Sequence, residues 1–278
     1  MLLRWDLKVG SMDCKIENYY INFMEVIILA GGLGTRLRSE VKDVPKCMAP
    51  IAGKPFLWYL LKDLTKYDNI SRVILSVGYL REVIFDWIPT VQDEFPFTFD
   101  YAIEEEPLGT GGGIRLAMEK VTEEEAVILN GDTYFAVNLT ELVAAHKNQD
   151  SAKLTIALKP MKDFDRYGTV STDAEGRVLK FNEKQPCKEG LINGGVYVLA
   201  KDEKIFEGLP KKFSFETAVM QEKCGETGCL FGVVQNGYFI DIGIPEDYHK
   251  ADREFPSFFK VISNYRYIKK KNESCIFK

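Results

Sequence analysis

The segment EVIILAGGLGTRLRSEVKDVPK, Glu25–Lys46, sets an apolar run against a glycine-rich turn and then against fixed cations. Val26-Ile27-Ile28-Leu29-Ala30 reads as a buried strand, and Gly31-Gly32-Leu33-Gly34 reads as a tight, donor-rich loop. A buried strand that ends in such a loop is how α/β proteins present backbone N–H groups to phosphates. Thr35, Arg36 and, after Pro45, Lys46 follow it. The loop is not a nucleotide P-loop, because no Gly-Lys-Ser/Thr follows at the required spacing. Nor is it a dinucleotide fingerprint, because Leu37 stands where the last glycine is needed. What remains is a phosphate cradle with Arg36 able to stabilise charge on a phosphoryl group and Lys46 as a second point charge. A tight turn carrying a surface arginine and lysine would give the same pattern.

Outward from this segment, apolar runs alternate with amphipathic ones. Strands are expected over 26–30, 72–77, 97–103 and 126–130, and helices over 55–65, 81–87 and 111–119. Pro55 suits a first helical turn, and Leu57, Leu60, Leu61 and Leu64 recur at helical spacing. Alternating strands and helices predict an α/β fold with a mainly parallel sheet covered on both faces, and a ligand at the carboxyl ends of the strands. The second half is richer in strands, over 153–159, 168–172, 177–181, 195–199 and 230–234, with helices over 140–147, 215–222 and 245–253. It is expected to extend the same sheet with a layer that faces the substrate.

Within this frame four further groups carry chemistry. Asp132 follows the apolar run 126–129 and Asp241 follows Tyr238-Phe239-Ile240; a carboxylate at such a strand end suits a hard cation such as Mg²⁺. Two of them meeting over one cation make a phosphoryl-transfer site, whereas taken singly they cap a turn or open a helix. Glu104-Glu105-Glu106 precedes Pro107-Leu108-Gly109-Thr110-Gly111-Gly112-Gly113. A carboxylate there can accept from guanine N1–H and N2–H₂ side by side, or the acids simply favour a helix N-terminus. Glu183-Lys184 and Asn193 suit sugar hydroxyls and a sugar phosphate. His146 and His249 fall in helices and are expected at the surface, which leaves no histidine-based triad.

The totals narrow the class. At 278 residues there is ample length for a core. Net charge is -5 and pI about 5.4, which excludes a nucleic-acid binder that relies on bulk charge. The segment from Ser257 onward carries a local +5 against -10 for the remainder. Cys14, Cys47, Cys187, Cys224, Cys229 and Cys275 include no paired CxxC set, so reduced thiols and a cytoplasmic location are expected rather than a zinc site. No apolar run reaches the roughly 20 residues that span a bilayer, so no membrane insertion is expected. Residues 1–23 read as a poorly specified extension without a signal-peptide core, and Met24 is a second candidate start. The catalytic domain is expected over 24–256, followed by a basic tail, 257–278, that either docks as a helix or stays solvated.

Taken in order, LAGGLGTRL with PK downstream, EPLGTGG, LNGD, EK, NGG and DIGIPEDY resemble the sugar-1-phosphate nucleotidyltransferases, over about Glu25–Arg253. DFDRYGTV (163–170), GLINGGVYVL (190–199), KFSFE (212–216) and YFIDIGIPEDY (238–248) are similar to the branch that joins GTP to a heptose 1-phosphate, with mannose 1-phosphate the next nearest substrate. The resemblance implies a Rossmann-like three-layer α/β/α fold and Mg²⁺-dependent exchange, in which GTP and a sugar 1-phosphate give a GDP-sugar and pyrophosphate. It implies nucleotide contacts from Leu29, Ala30, Gly31, Gly32, Gly34, Thr35, Glu104 and Gly109, with catalytic roles for Arg36, Lys46 and Asp132. It assigns Asp132 and Asp241 to the metal, Gly168, Glu183 and Asn193 to the sugar, and Lys184 to the sugar phosphate. Cys47 departs from the family pattern, which has a second proline there. Other bases, UTP above all, and a non-catalytic nucleotide-sugar binder are the alternatives.

Overall fold

A computed structural model describes residues 23–32, 37 and 40–276, with side chains through Lys260. In its first half each strand hands on to a helix: β1 (Met24–Leu29), the short hairpin β2 (Pro50–Ile51) and β3 (Lys54–Pro55), α1 (Phe56–Leu64), β4 (Ile70–Val77), α2 (Arg81–Val91), β5 (Thr98–Ile103), α3 (Gly109–Met118) and β6 (Glu125–Asn130). β7 (Thr133–Phe135) and α4 (Leu139–Lys147) lead into β8 (Leu154–Phe164), β9 (Val170–Thr172), β10 (Val178–Phe181) and β11 (Cys187–Ala200). A π-wound helix (Phe215–Cys224), β12 (Leu230–Val234), β13 (Phe239–Asp241) and a last helix (Pro245–Ile276) complete the described chain.

Seven strands form one sheet in the order β12-β8-β11-β6-β1-β4-β5. β1, β4, β5 and β6 are mutually parallel, and β11 runs against both its neighbours. The expected mainly parallel, mixed sheet is therefore present. The chain leaves β1 toward β4 and β5, then returns past β1 to lay down β6 on its other side. The strand order reverses at the β1–β6 pair, and crevices open at such points.

Both faces of the sheet are covered. Val26 and Ile28 of β1 pack with α1, α2 and the last helix, whereas Ile27 packs with α3 and the π-wound helix. All three side chains are fully buried. This two-sided burial is why the strand reads as an unbroken apolar run. Phe255 of the last helix lies against Phe56, Tyr59 and Tyr134, with centroids 4.8–5.8 Å apart.

Several local expectations change. Pro55 stands one residue before the first helical turn. α2 runs past Trp87 through Pro89, held by the burial of Ile88 and Val91. The segment expected as a strand over 195–199 begins eight residues earlier, at Cys187, because its polar half pairs with β8 as a ribbon that leaves little apolar signal. The helix expected over 215–222 winds as a π-helix. His146 is buried, not at the surface: α4 packs on β8, and Nδ1 lies 2.8 Å from Thr155 Oγ1. Burial pushes its pKa down.

At the opposite end of β1 from the glycines, Glu25 is 2% exposed. It accepts N–H bonds from Thr122 (2.6 Å) and Glu123 (3.0 Å) and pairs with the Arg72 guanidinium. Burial opposes its ionisation, but these N–H groups and Arg72 outweigh burial and hold its carboxyl below the ordinary 4.5. Glu25→Ala, which leaves the Thr122 and Glu123 N–H groups without their acceptor and Arg72 with only Asp100 and Lys120 O, should cost about 2 kcal/mol at pH 7. A carboxyl with a depressed pKa stabilises the fold above its unfolded value and loses that contribution as pH falls through its folded value. Denaturant titrations should therefore show the gap between wild type and Glu25→Ala narrowing below about pH 4.5; a gap constant from pH 7 to pH 3 would refute the assignment.

Candidate active site

β1 and β6 end level with one another, Leu29 pairing with Asn130, and Gly131 N–H donates to Leu29 O at 3.0 Å. The residues that follow, Gly31 and Gly32 on one side and Asp132 on the other, line a cleft of about 590 Å³. Glu104 enters it from the end of β5, where its N–H donates to Val77 O. A Cβ at Gly31 would lie 2.7 Å from Glu104 Oε1 and 3.2 Å from the Gly78 nitrogen, so a side chain there would have to displace the Glu104 carboxylate. Ser76 Oγ donates to that same oxygen at 3.2 Å, and Leu108 N–H donates to Oε2 at 3.0 Å. Gly31 thus lies close against a carboxylate that is already partly hydrogen-bonded. Gly109, with φ +73°, lies close against Phe213 O, which also accepts the Gly111 N–H.

Lys46 begins a single 3₁₀ turn whose next residues, Cys47 and Met48, are buried. The Cys47 thiol approaches Ala30 O at 3.9 Å and ties this turn to the end of β1, the role left open by the missing proline. Burial, with Asp132 nearby, pushes that thiol up to about 12, so it remains protonated. Downstream, Tyr59 OH donates to Ile51 O, and Tyr248 OH of the last helix donates to Pro50 O. The first strand of the hairpin beyond Lys46 is therefore anchored both to α1 and to the last helix.

Asp132 and Asp241 are 109 residues apart in the chain. β7 and β13 pair antiparallel with Thr133 opposite Asp241, and Ile242 N–H donates to Asp132 O at 3.0 Å. That pairing brings both carboxylates to one point. Lys46 Nζ lies between them, 2.6 Å from Asp132 Oδ2 and 3.7 Å from Asp241 Oδ1. Asp241 also accepts the Gly243 N–H at 2.7 Å. Burial and the neighbouring Asp132 raise its pKa.

The donor set fits a divalent cation. Two carboxylates already share one positive charge, which marks where a cation is stabilised. Among the described lining residues, Glu104, Asp132 and Asp241 meet only the ammonium groups of Lys46 and Lys212. A polyanionic ligand in such a cleft requires further positive charge. Mg²⁺ is commonly held by one or two carboxylates with phosphate oxygens completing its shell.

A second cleft, of about 440 Å³, adjoins the first. It takes Gly168, Glu183, Lys184 and Asn193, all four residues expected at the sugar end. Asn130, Asp241 and Gly243 line both clefts. Leu29, Ala30, Gly31, Gly32, Lys46, Glu104, Gly109, Asp132 and Asp241 all line the first cleft. Gly34, Thr35 and Arg36 lie outside the described residues. Not anticipated singly were Asn130, Thr110 and Lys212 around the first cleft and Arg166, Glu216 and Gln221 around the second. Asn130 stands inside LNGD, and Lys212 and Glu216 inside KFSFE, so the motifs held the signal without separating the lining residues from the others.

The nucleotidyl transferase family profile matches residues 25–257. Over 231 residues the chain is 49% identical to D-glycero-alpha-D-manno-heptose 1-phosphate guanylyltransferase of Aneurinibacillus thermoaerophilus, covering 83% of this chain and 98% of that protein. The protein of the same name from Campylobacter jejuni is 48% identical over 231 residues, with 81% and 97% covered. Among solved structures, HddC from Yersinia pseudotuberculosis, complexed with GMP-PN, is similar at a TM-score of 0.72 and 40% identity, covering 84% of this chain and all of that one. With the profile running from the first core strand into the last helix, the chain belongs to the nucleotidyl transferase family.

Proposed function

We propose that this chain transfers a guanylyl group from GTP to D-glycero-α-D-manno-heptose 1-phosphate, giving the GDP-heptose and pyrophosphate in the cytoplasm. The observation that carries this reading is the meeting of two clefts at Asn130, Asp241 and Gly243, with Lys46 and Asp132 beside them. A two-substrate transfer needs one pocket for each substrate and a charged junction between them. The named relatives supply the choice of base and sugar.

In the reaction a phosphate oxygen of the sugar 1-phosphate forms a bond to the α-phosphorus of GTP, and the bond from that phosphorus to the bridging oxygen breaks, releasing pyrophosphate. A phosphate monoester is already a competent nucleophile, so positioning and charge neutralisation do most of the work. Gly31 and Gly32 bring backbone to the triphosphate. Glu104, with two of its roughly four lone-pair sites taken by Ser76 and Leu108, keeps capacity to accept from guanine. Lys46 offers three N–H donors where the phosphates converge on Asp132 and Asp241. Gly168, Glu183, Lys184 and Asn193 line the sugar side. Asp132 and Asp241 would hold Mg²⁺, which would supply charge neutralisation for the phosphoryl group during transfer.

The deciding assay is pyrophosphate release with GTP, UTP, CTP, ATP and dTTP crossed against heptose, mannose, glucose and N-acetylglucosamine 1-phosphates. Turnover should be highest for GTP with the heptose 1-phosphate; activity confined to UTP would overturn the base, and preference for mannose the sugar. Lys46→Ala and Asp132→Ala should each lower kcat/KM by on the order of 10²-fold or more, the scale of losing a transition-state charge partner, with circular dichroism unchanged. Near-normal rates for both would remove them from the centre. Mn²⁺ titrated without nucleotide and followed by electron paramagnetic resonance should bind several-fold tighter to Lys46→Gln than to wild type, since the ammonium no longer occupies the space between the carboxylates. Weaker binding by the variant would show that Lys46 does not compete with the metal.

A further inference from the structure

The π-wound helix Phe215–Cys224 places two polar side chains, Glu216 and Gln221, at the second cleft. They are five residues apart. In an α-helix, with 3.6 residues per turn, such a pair points about 140° apart, whereas i→i+5 bonding stacks residues five apart on one side. The opposite side buries Phe215, Val219, Met220 and Cys224 in the core. A single turn of ordinary α-winding would take one of the two polar residues out of the cleft. π-winding is rare and appears frequently at functional sites.

The chemistry of the two groups suits a polyol. Glu216 Oε2 accepts from Thr110 Oγ1 and from Ser214 Oγ, each at 2.8 Å, while Oε1 makes no hydrogen bond among the described residues. One oxygen is thus fixed and the other left for an incoming O–H. Asn193, the amide that the sequence assigns to the sugar, is already engaged. Its Nδ2 faces Tyr197 OH at 3.2 Å and Met220 Sδ at 3.7 Å, and its Oδ1 accepts the Gly195 N–H. Asn193 therefore shapes the bulge in β11, and Glu216 and Gln221 hold the hydrogen-bonding capacity that its amide lacks. Thr110, the donor to Glu216, lines the nucleotide cleft, so the same carboxylate touches the walls of both clefts.

We propose that Glu216 and Gln221 bind the sugar hydroxyls of the 1-phosphate substrate and determine which sugar is accepted; the assignment rests on reading the second cleft as the sugar pocket. A carboxylate that accepts from one hydroxyl and an amide that both donates and accepts discriminate because a sugar whose hydroxyl is missing or inverted leaves the half-buried Glu216 short of a donor and forfeits the bond to Gln221.

The test compares wild type, Glu216→Gln and Gln221→Ala in steady-state kinetics, with GTP and the heptose 1-phosphate varied separately and mannose 1-phosphate as competitor. Glu216→Gln keeps an acceptor for Thr110 and Ser214, and Gln221 is exposed, so the second variant is decisive if the first folds poorly. The KM for the sugar 1-phosphate should rise about 10- to 100-fold in Glu216→Gln, the effect of losing a hydrogen bond to a charged partner, and about 3- to 10-fold in Gln221→Ala, the effect of losing one to an exposed neutral amide, with KM for GTP within twofold and the preference between the two sugars narrowed. A sugar KM within twofold of wild type in the variants, while wild type makes GDP-sugar, would overturn this inference and leave the proposed reaction standing. If wild type binds GTP yet forms no GDP-sugar from either substrate, the reading of the pocket falls and this inference with it.

Discussion

The parallel pairing of β1 with β6 is the constraint on which the site depends. Leu29 and Asn130 end the two strands at one level, and the chain beyond each turns into the same crevice. Because β4 and β5 lie on one side of β1 and β6 on the other, helices diverge from this seam and leave it open. A one-residue slip of β6 would turn its side chains to the opposite face and carry Asp132 away from Lys46. The apolar, two-sided burial of Val26, Ile27 and Ile28 is what makes such a slip costly.

On that seam the electrostatics are those of a site built for more positive charge than the described side chains carry. Asp132 and Asp241 are held within reach of one ammonium, and the raised pKa of Asp241 reflects its burial and the like charge beside it. Such a pair is unfavourable alone and becomes favourable when a divalent cation and phosphates arrive together. The contrast with Glu25 at the far end of β1 is instructive. There a buried carboxylate is fully matched by N–H donors and Arg72, and it serves the fold. Two carboxyl environments of opposite sense thus lie toward the two ends of the β1–β6 pair.

Much of this was legible in the chain. Buried parallel strands write themselves as continuous apolar runs, so β1, β4 and β6 were visible to within two residues, and the glycines and Asp132 stood at the ends of β1 and β6. Elements that bury little were not legible. β7 and β13, three residues each, have too few positions for a period, yet their pairing alone brings Asp132 to Asp241. The polar half of β11 left no alternation to read, and His146 looked like a surface residue because nothing local announces that α4 presses it against Thr155.

The sequence by itself determined the class of fold, the order of the phosphate-facing motifs and the types of residue in the centre, since local composition reports burial and backbone freedom. The tertiary structure alone decided which carboxylates meet and that Lys46 stands between them. It also decided that Asn193 is committed to its own strand, and that π-winding turns Glu216 and Gln221 to one cleft. These depend on register and helical pitch across distant segments, where differences of a few ångströms arise from packing that no single stretch of chain encodes.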